Sequence, residues 1–301
     1  MKIILAGGNG FLGNVLIKKL RDKNEIVLLT RGASKTNNGI RYVHWDAQSV
    51  GDWVSELDGA DVLINLVGRS VDCRYNEKNK KEILESRTKS TQVLGEAILQ
   101  CAQAPKLWLN SASATIYRHS TDKAMTEEST EFGEGFSVDV CKAWEKSFFD
   151  FKLNATRQVA MRITIVLGKD GGAVKPLLRL AKFGLGGAQA GGKQMFSWIH
   201  QDDFAAVVKF IVENDAIVGP VNMAAPNPLT NAALMKTMRK TVGMPIGLPM
   251  PTFLLKFGAL LIGTETELIT KSRYVIPGKL QDAGFEFKYP SVDLALKEIN
   301  G

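Results

Sequence analysis

The chain has few cysteines, no long apolar run and no concentrated basic arm. Its 301 residues contain only Cys73, Cys101 and Cys141, an odd number without metal-ligand spacing. Neither a disulfide framework nor a metal site is expected, and reduced thiols in a cytoplasm are. The apolar run at the amino end is short and stops at glycines, unlike a secretory signal. Phe253 to Ile262 is apolar, but Lys256 and Gly258 interrupt it and it falls short of the roughly 20 residues that span a bilayer, so no membrane partner is expected. The net charge of +7 is spread along the chain, with one dense cluster from Asn76 to Lys81. That pattern does not suggest a nucleic-acid partner, and it suits a phosphorylated cofactor or an acidic substrate.

With 45% hydrophobic and 23% charged residues, the chain can bury a sizeable core. The most informative stretch is Lys2 to Gly13. Ile3-Ile4-Leu5-Ala6 is an unbroken apolar run that suits a strand covered on both faces, and Gly7, Gly8, Gly10 and Gly13 follow at once. An amphipathic helix then opens through Val15, Leu16, Ile17 and Leu20. Strand, glycine turn and helix together form a dinucleotide cradle, in which glycines let backbone N–H groups approach a pyrophosphate and the helix N-terminus adds positive charge. Gly7, Gly10, Phe11, Leu12 and Gly13 are the expected contacts.

Glu25 to Thr30 reads as a second strand that runs into Arg31 and a polar loop through Gly39. In a dinucleotide fold this junction meets the adenosine ribose. A carboxylate there would accept from the 2′-hydroxyl of NAD, and arginine pairs with the 2′-phosphate of NADP. Arg31, beside Thr30 and with no acidic neighbour, points to NADP(H), with NAD(H) as the second choice. Ile40 to His44 is a third strand, and Val50 to Leu57 a short helix. Asp46 lies between them, either accepting from the adenine amino group or closing a turn. Asp61 to Val67 is a fourth strand, whose Leu66-Val67-Gly68 end lies against the cofactor.

A long helix from Tyr75 to Cys101 places Arg87 on the apolar stripe of Ile83, Leu94, Ala97, Ile98 and Cys101, directed toward a cleft. Lys106 to Ser111 is the fifth strand, leading into Ser111-Ala112-Ser113-Ala114-Thr115-Ile116-Tyr117. Phe136 to Phe151 is a helix burying Val140, Trp144, Phe148 and Phe151, and Gln158 to Val166 is the sixth strand. The alternation predicts an α/β fold, a doubly wound parallel sheet with a smaller C-terminal α+β substrate region. Residues 1–168 would form the dinucleotide-binding domain, with 194–225 returning to it. Residues 169–193 and 226–301 would face the substrate. Further along, Gln194 to Ile199 reads as a strand, Asp202 to Asn214 as a helix and Gly219 to Met223 as a strand.

Gly7-Gly8-Asn9-Gly10-Phe11-Leu12-Gly13, Asn65-Leu66-Val67-Gly68, Ser113-Ala114-Thr115-Ile116-Tyr117 and Arg162 through Gly168 resemble the landmarks of extended short-chain dehydrogenases/reductases, the group that contains the NAD-dependent epimerase/dehydratases. Arg74-Tyr75 with Ser86-Arg87, Cys141-x-x-Trp144-Glu145, Gly184-Leu185-Gly186-Gly187, Ser197-Trp198-Ile199-His200-x-x-Asp203 and Asn222-x-x-Ala225-Pro226 resemble its atypical bacterial epimerase family. Those sugar-nucleotide-epimerase-like proteins end in a domain of unknown function. The resemblance implies an oxidoreductase or epimerase acting on a small molecule, a nucleotide-sugar among the candidates, with homo-oligomers among the expected assemblies. Arg87, Ser111 and Ile163 join the cofactor contacts, and Arg74, Ser137, Cys141, Trp198 and His200 fall on the substrate side.

In that superfamily a Tyr-x-x-x-Lys pair on one helix face moves the proton and orients the ribose, beside a serine. Ser113 fits the serine. Where the pair belongs this chain has Ser137-x-x-x-Cys141, and no tyrosine lies between Tyr117 and Tyr274. Three readings stay open. The acid/base group comes from elsewhere, with Tyr117, Arg87 and His200 as candidates; or the protein binds NADP(H) without turnover, as a redox sensor; or Cys141 is a reactive thiol beside Lys142.

Overall fold

The first strand is apolar on both faces because it lies between two others and feeds two separate cores. In the computed structural model, which describes residues 1–255, 265 and 267–301, β1 (Lys2–Ala6) pairs in parallel with β2 (Glu25–Thr30) on one side and β5 (Val62–Asn65) on the other. Ile3 and Leu5 point into a core shared with Leu16 and Leu20 of α1 (Phe11–Leu20), and Ile4 and Ala6 into a second core on the opposite face. That alternation is the period-2 geometry of a strand covered by helices on both sides.

Around β1 the main sheet has eight strands in the order β11, β7, β6, β5, β1, β2, β4, β3. The others are β3 (Lys35–Asn37), β4 (Ile40–His44), β6 (Leu107–Ser113), β7 (Arg157–Ile163) and β11 (Gly219–Met223). All pairs are parallel except β3 with β4. The expected α/β, doubly wound parallel sheet is therefore the observed fold. The polar loop expected after Arg31 is not wholly irregular, since Lys35–Asn37 turns back antiparallel on β4 and closes that edge.

One face carries α1 and α5 (Gln201–Glu213), whose Phe204, Val207, Val208 and Ile211 complete the first core. The other carries α2 (Glu77–Gln100) and α3 (Phe136–Phe149), which bring Val93, Leu94, Ala97, Ile98 and Phe148 against Trp108. The α2 helix starts where Asn76 Oδ1 accepts from Asn79 N at 2.9 Å, a side-chain cap for an otherwise orphan donor. Gly95 lets α2 approach closely, as a β-carbon there would lie 2.3 Å from the Phe151 ring.

Two expected strands are broken by hydroxyl side chains that bond distant backbone. The run from Gln158 to Val166 divides at Thr164, whose N–H and Oγ1 both donate to the Met223 carbonyl, at 3.2 and 2.7 Å. Beyond it β8 (Ile165–Leu167) leaves the main sheet and pairs with β10 (Trp198–His200). The run from Gln194 to Ile199 divides at Ser197, whose Oγ is 2.8 Å from the Arg273 carbonyl and accepts from Val275 N at 2.8 Å. Before it, β9 (Met195–Phe196) pairs with β12 (Leu229–Thr230).

A further core joins Trp198, Leu234 and Met238 to Tyr289, Val292, Leu296 and Ile299. It holds α4 (Val174–Lys182), α6 (Asn231–Thr241) and the terminal helix Val292–Asn300 together. The apolar run over 253–262 lies outside the described residues from 256 onward. Among the described residues no helix is long and apolar enough to cross a membrane.

Candidate functional site

The glycine turn sits at the carboxyl edge of the sheet, where strand order reverses between β2 and β5, the place at which open α/β sheets bind their ligands. Gly7 has φ +76°, and a β-carbon on it would lie 2.9 Å from the Leu66 carbonyl carbon and the Val67 nitrogen. Both the conformation and the close approach require glycine. Gly13 serves packing, since a β-carbon there would meet the Gly8 carbonyl oxygen at 2.1 Å. Gly10 differs: nothing lies within 4 Å of the place a β-carbon would take. It is also the N-cap of α1, and no side chain caps the helix there. Open space over uncapped amides fits an anionic ligand such as a pyrophosphate.

The turn is tied to β2 by Asn9 Nδ2, which donates to Thr30 Oγ1 at 2.9 Å, and the same hydroxyl accepts from Gly32 N at 3.2 Å. Arg31 next to it is exposed and makes no hydrogen bond or ion pair with the described residues. Phe11 fills the far side, so near Gly168 and Gly171 that β-carbons there would lie 2.5 and 2.4 Å from its ring. Leu12, Leu66 and Ile163 are partly buried against the first core, and Ser111 is buried within β6.

Asp46 is taken up by its own turn. It accepts from Gln48 N and Ser49 N at 2.8 and 2.9 Å and from Ser49 Oγ at 2.6 Å. The Ser49 hydroxyl, then these backbone donors, hold its carboxyl down at about 2. This is the turn expected of Asp46.

A cavity of about 130 Å³ opens beside this edge, bounded by α2, α3 and the segment that follows helix Glu267–Thr270. Arg87, Ser113, Ser137 and Cys141 all line it, as do Tyr75, Glu267, Arg273 and the Trp144 ring. Arg87 Nη1 donates to the Ile83 carbonyl at 2.9 Å, and the guanidinium lies 5.1 Å from the Trp144 ring centre. It also borders the cofactor edge, since a β-carbon at Gly68 would lie 3.2 Å from the guanidinium carbon. Ser113 Oγ accepts from Thr115 N at 3.2 Å. Ser137 Oγ donates to Glu267 Oε2 at 3.3 Å, and the Tyr75 phenol lies beside Ser137 with its ring edge-on to Phe136. Burial raises the Tyr75 pKa, with Ser137 working against the rise, so the phenol is neutral at pH 7.

Burial pushes the Cys141 thiol up to about 11, although Arg87 and Arg273 both pull it down. That thiol is buried and protonated at neutral pH, which speaks against the reactive-cysteine reading. It also supplies no ammonium-like charge.

Four expected site residues lie elsewhere. Tyr117 is fully buried outside the cavity. Its hydroxyl accepts from Arg162 Nη1 at 2.7 Å and lies 2.9 Å from both the Thr126 carbonyl and Asn222 Oδ1, so it joins three segments and has no face for a ligand. His200 is also fully buried: Nδ1 accepts from Asp202 N at 3.2 Å, Nε2 is 3.0 Å from Glu298 Oε2, and the ring lies against Tyr289. Asp203 accepts from Lys288 N and Tyr289 N, each at 2.9 Å. The Trp198-Ile199-His200-x-x-Asp203 run therefore anchors the C-terminal segment, with Trp198 wholly inside that core. Arg74 stands near the cavity without lining it, 3.6 Å from Glu265.

Tyr75 and Arg273 went unassigned from the sequence. Tyr75 could have been found as the aromatic half of Arg74-Tyr75; nothing local marks Arg273.

Comparison with known proteins agrees with this geometry. Residues 3–224 match the model of the NAD dependent epimerase/dehydratase family, and residues 250–299 match a domain of unknown function. The epimerase family protein YfhF of Bacillus subtilis is 34% identical over 99% of this chain and 98% of its own. The chloroplastic SDR39U1 homolog of Arabidopsis thaliana is 31% identical over 99% of this chain and 86% of its own. The crystal structure of human epimerase family protein SDR39U1 with NADPH superposes with a TM-score of 0.88 at 30% identity, covering 100% of this chain and 99% of that one. With its sheet, its glycine turn and a family match over most of its length, this chain belongs to the NAD-dependent epimerase/dehydratase family.

Proposed function

We propose that this protein binds NADP(H) along the carboxyl edge of β1, β2 and β5 and uses it to reduce a small carbonyl compound held in the cavity next to Ser113. The observation that carries the cofactor half is the open, uncapped start of α1 at Gly10, with unpartnered Arg31 one strand away to take a 2′-phosphate. The human relative whose structure holds NADPH supports the same choice. When bound, the nicotinamide supplies the hydride.

The chain's own residues would do the rest. Ser113 Oγ, at the end of β6, hydrogen-bonds the substrate oxygen. Tyr75, just ahead of α2, stands in for the missing superfamily tyrosine, donating its proton to that oxygen. Ser137, which lies beside the Tyr75 phenol and donates to Glu267, would hold the phenol in place, and solvent water would return the proton once the product leaves. A phenol that is protonated at neutral pH has a proton to give to the developing alkoxide, which favours carbonyl reduction over the base-first chemistry of an epimerisation. A reducing cytoplasm suits the three unpaired thiols.

The test is a panel of small aldehydes and ketones followed by NADPH absorbance, with the wild type and Tyr75→Phe. The variant is expected to bind NADPH unchanged and to turn over at least about 100-fold more slowly. Micromolar NADPH binding with no turnover of any carbonyl would replace this reading with the redox-sensing one, for which the Ser137 and Cys141 replacements speak.

A further inference from the structure

Arg87 on α2 and Arg273, which follows helix Glu267–Thr270, both face the 130 Å³ cavity, and neither has a carboxylate within ion-pair distance among the described residues. Arg87 makes one hydrogen bond, to the Ile83 carbonyl. Among the described residues Arg273 makes none through its side chain, and its buried Nη1 has no partner there. The nearby acids are committed: Glu267 holds Lys271 and accepts from Ser137, Glu145 is forked onto Arg162, and Glu265 faces Arg74 and Tyr75 N. Cys141, close enough to feel both guanidiniums, keeps its proton. Burial works against the charge of both arginines.

A charge drawn partly out of water without a close counter-ion is costly, and folds normally pair it or leave it in water. Arg87 and Arg273 are both half-buried, Glu267 supports the charge of Arg273 without pairing with it, and Val71, Ile83, Phe136 and Val140 surround them, which describes a preformed anion site with partly apolar walls. We propose that the substrate carries a carboxylate, held by Arg87 and Arg273, a few bonds from the carbonyl that is reduced. The proposal rests on the NADP(H) reading above and narrows its substrate to short oxo acids. Planar guanidinium forks match a carboxylate in two parallel hydrogen bonds, and the apolar walls suit the short carbon chain that follows. Arg87, which also borders Gly68, places the anion next to the cofactor edge.

The experiment titrates malonate into the protein saturated with NADPH, at constant ionic strength, and reads the melting temperature and NADPH fluorescence. Malonamide and inorganic phosphate serve as parallel probes. Malonate is expected to raise the melting temperature in a saturable way, malonamide to leave it unmoved, and phosphate to bind at least tenfold more weakly. Arg273→Gln should weaken malonate at least tenfold while NADPH affinity stays within twofold of wild type. Arg273→Lys, the more conservative change, should recover part of the malonate affinity and covers the case in which the glutamine variant does not fold. Malonate no better than malonamide, phosphate binding as tightly as malonate, or full malonate affinity in both Arg273 variants would each overturn the proposal. Failure of NADPH itself to bind would instead defeat the cofactor reading on which it stands.

Discussion

Arg162 on β7 and Glu145 on α3 meet two nitrogens to two oxygens, each at 2.8 Å, inside the protein. Burial alone would lower the pKa of Arg162, but hydrogen bonding to Glu145 and its charge outweigh that and hold it above the usual arginine value. The remaining guanidinium nitrogen, Nη1, donates to the Tyr117 hydroxyl. This pair locks α3, the helix that carries Ser137 and Cys141, against the end of the sheet. Removing one partner leaves the other charge buried and alone, which typically costs about 3–5 kcal/mol. Glu145→Ala is therefore expected to lose about that much in urea unfolding. Tyr117→Phe should lose about 1–3 kcal/mol, because it leaves buried polar partners unmatched. If Tyr117 were instead a proton donor in the reaction, its phenylalanine variant would lose turnover far beyond any loss of folded protein.

The two glycines at the start of α1 should respond to alanine in opposite ways. Gly13→Ala drives a β-carbon into the Gly8 carbonyl and is expected to cost about 1–3 kcal/mol, the usual range for overpacking. Gly10→Ala meets open space at an N-cap φ of −85° that alanine adopts freely, so stability should change by less than about 1 kcal/mol. The new methyl group would stand where the pyrophosphate is proposed to lie, and NADPH affinity should fall. Thermal melts and NADPH titration on the pair separate packing glycine from binding glycine. Unchanged NADPH affinity in Gly10→Ala would remove that assignment.

Much of the scaffold is readable from local pattern. Ile3 to Ala6, Glu25 to Thr30, Ile40 to His44 and Gly219 to Met223 are strands because each is a short run rich in apolar or β-branched residues between turn formers. What escapes local reading is set by bonds between distant segments. Thr164 and Ser197 end strands by reaching carbonyls far away in the sequence, and neither residue type announces this. His200 and Tyr117 look like chemistry because they are polar, yet their polar atoms are spent inside the core. The cavity shows the converse: Arg273 joins Arg87 and Ser113 only through the tertiary fold, so no spacing rule could have placed it there.

Arg31 gives a direct test of cofactor choice. It is exposed beside the end of β2, with no partner among the described residues and no carboxylate in the adjacent turn. A charge-assisted hydrogen bond from a guanidinium to a phosphate is worth about 1.5–3 kcal/mol, equivalent to roughly a ten- to hundredfold change in affinity. Arg31→Asp should weaken NADPH by that factor and leave NADH close to wild type, as read by quenching of intrinsic fluorescence. Equal loss for both nucleotides would show that Arg31 does not select between them.

Acid titration should reveal the Asp46 turn. Its carboxyl is held at about 2 in the folded protein by the Ser49 hydroxyl and by two backbone N–H groups, against 3.8 without them. The folded value lies below the unfolded one, so the turn contributes stability above about pH 4 and loses it as pH falls toward 2. The group is exposed, and water screens these bonds, so the contribution is expected to be at most about 1 kcal/mol. Asp46→Ala should be slightly less stable than wild type at pH 6, with the difference closing by pH 2. A parallel pair of urea midpoints across that range would instead show that the carboxylate adds nothing to this turn.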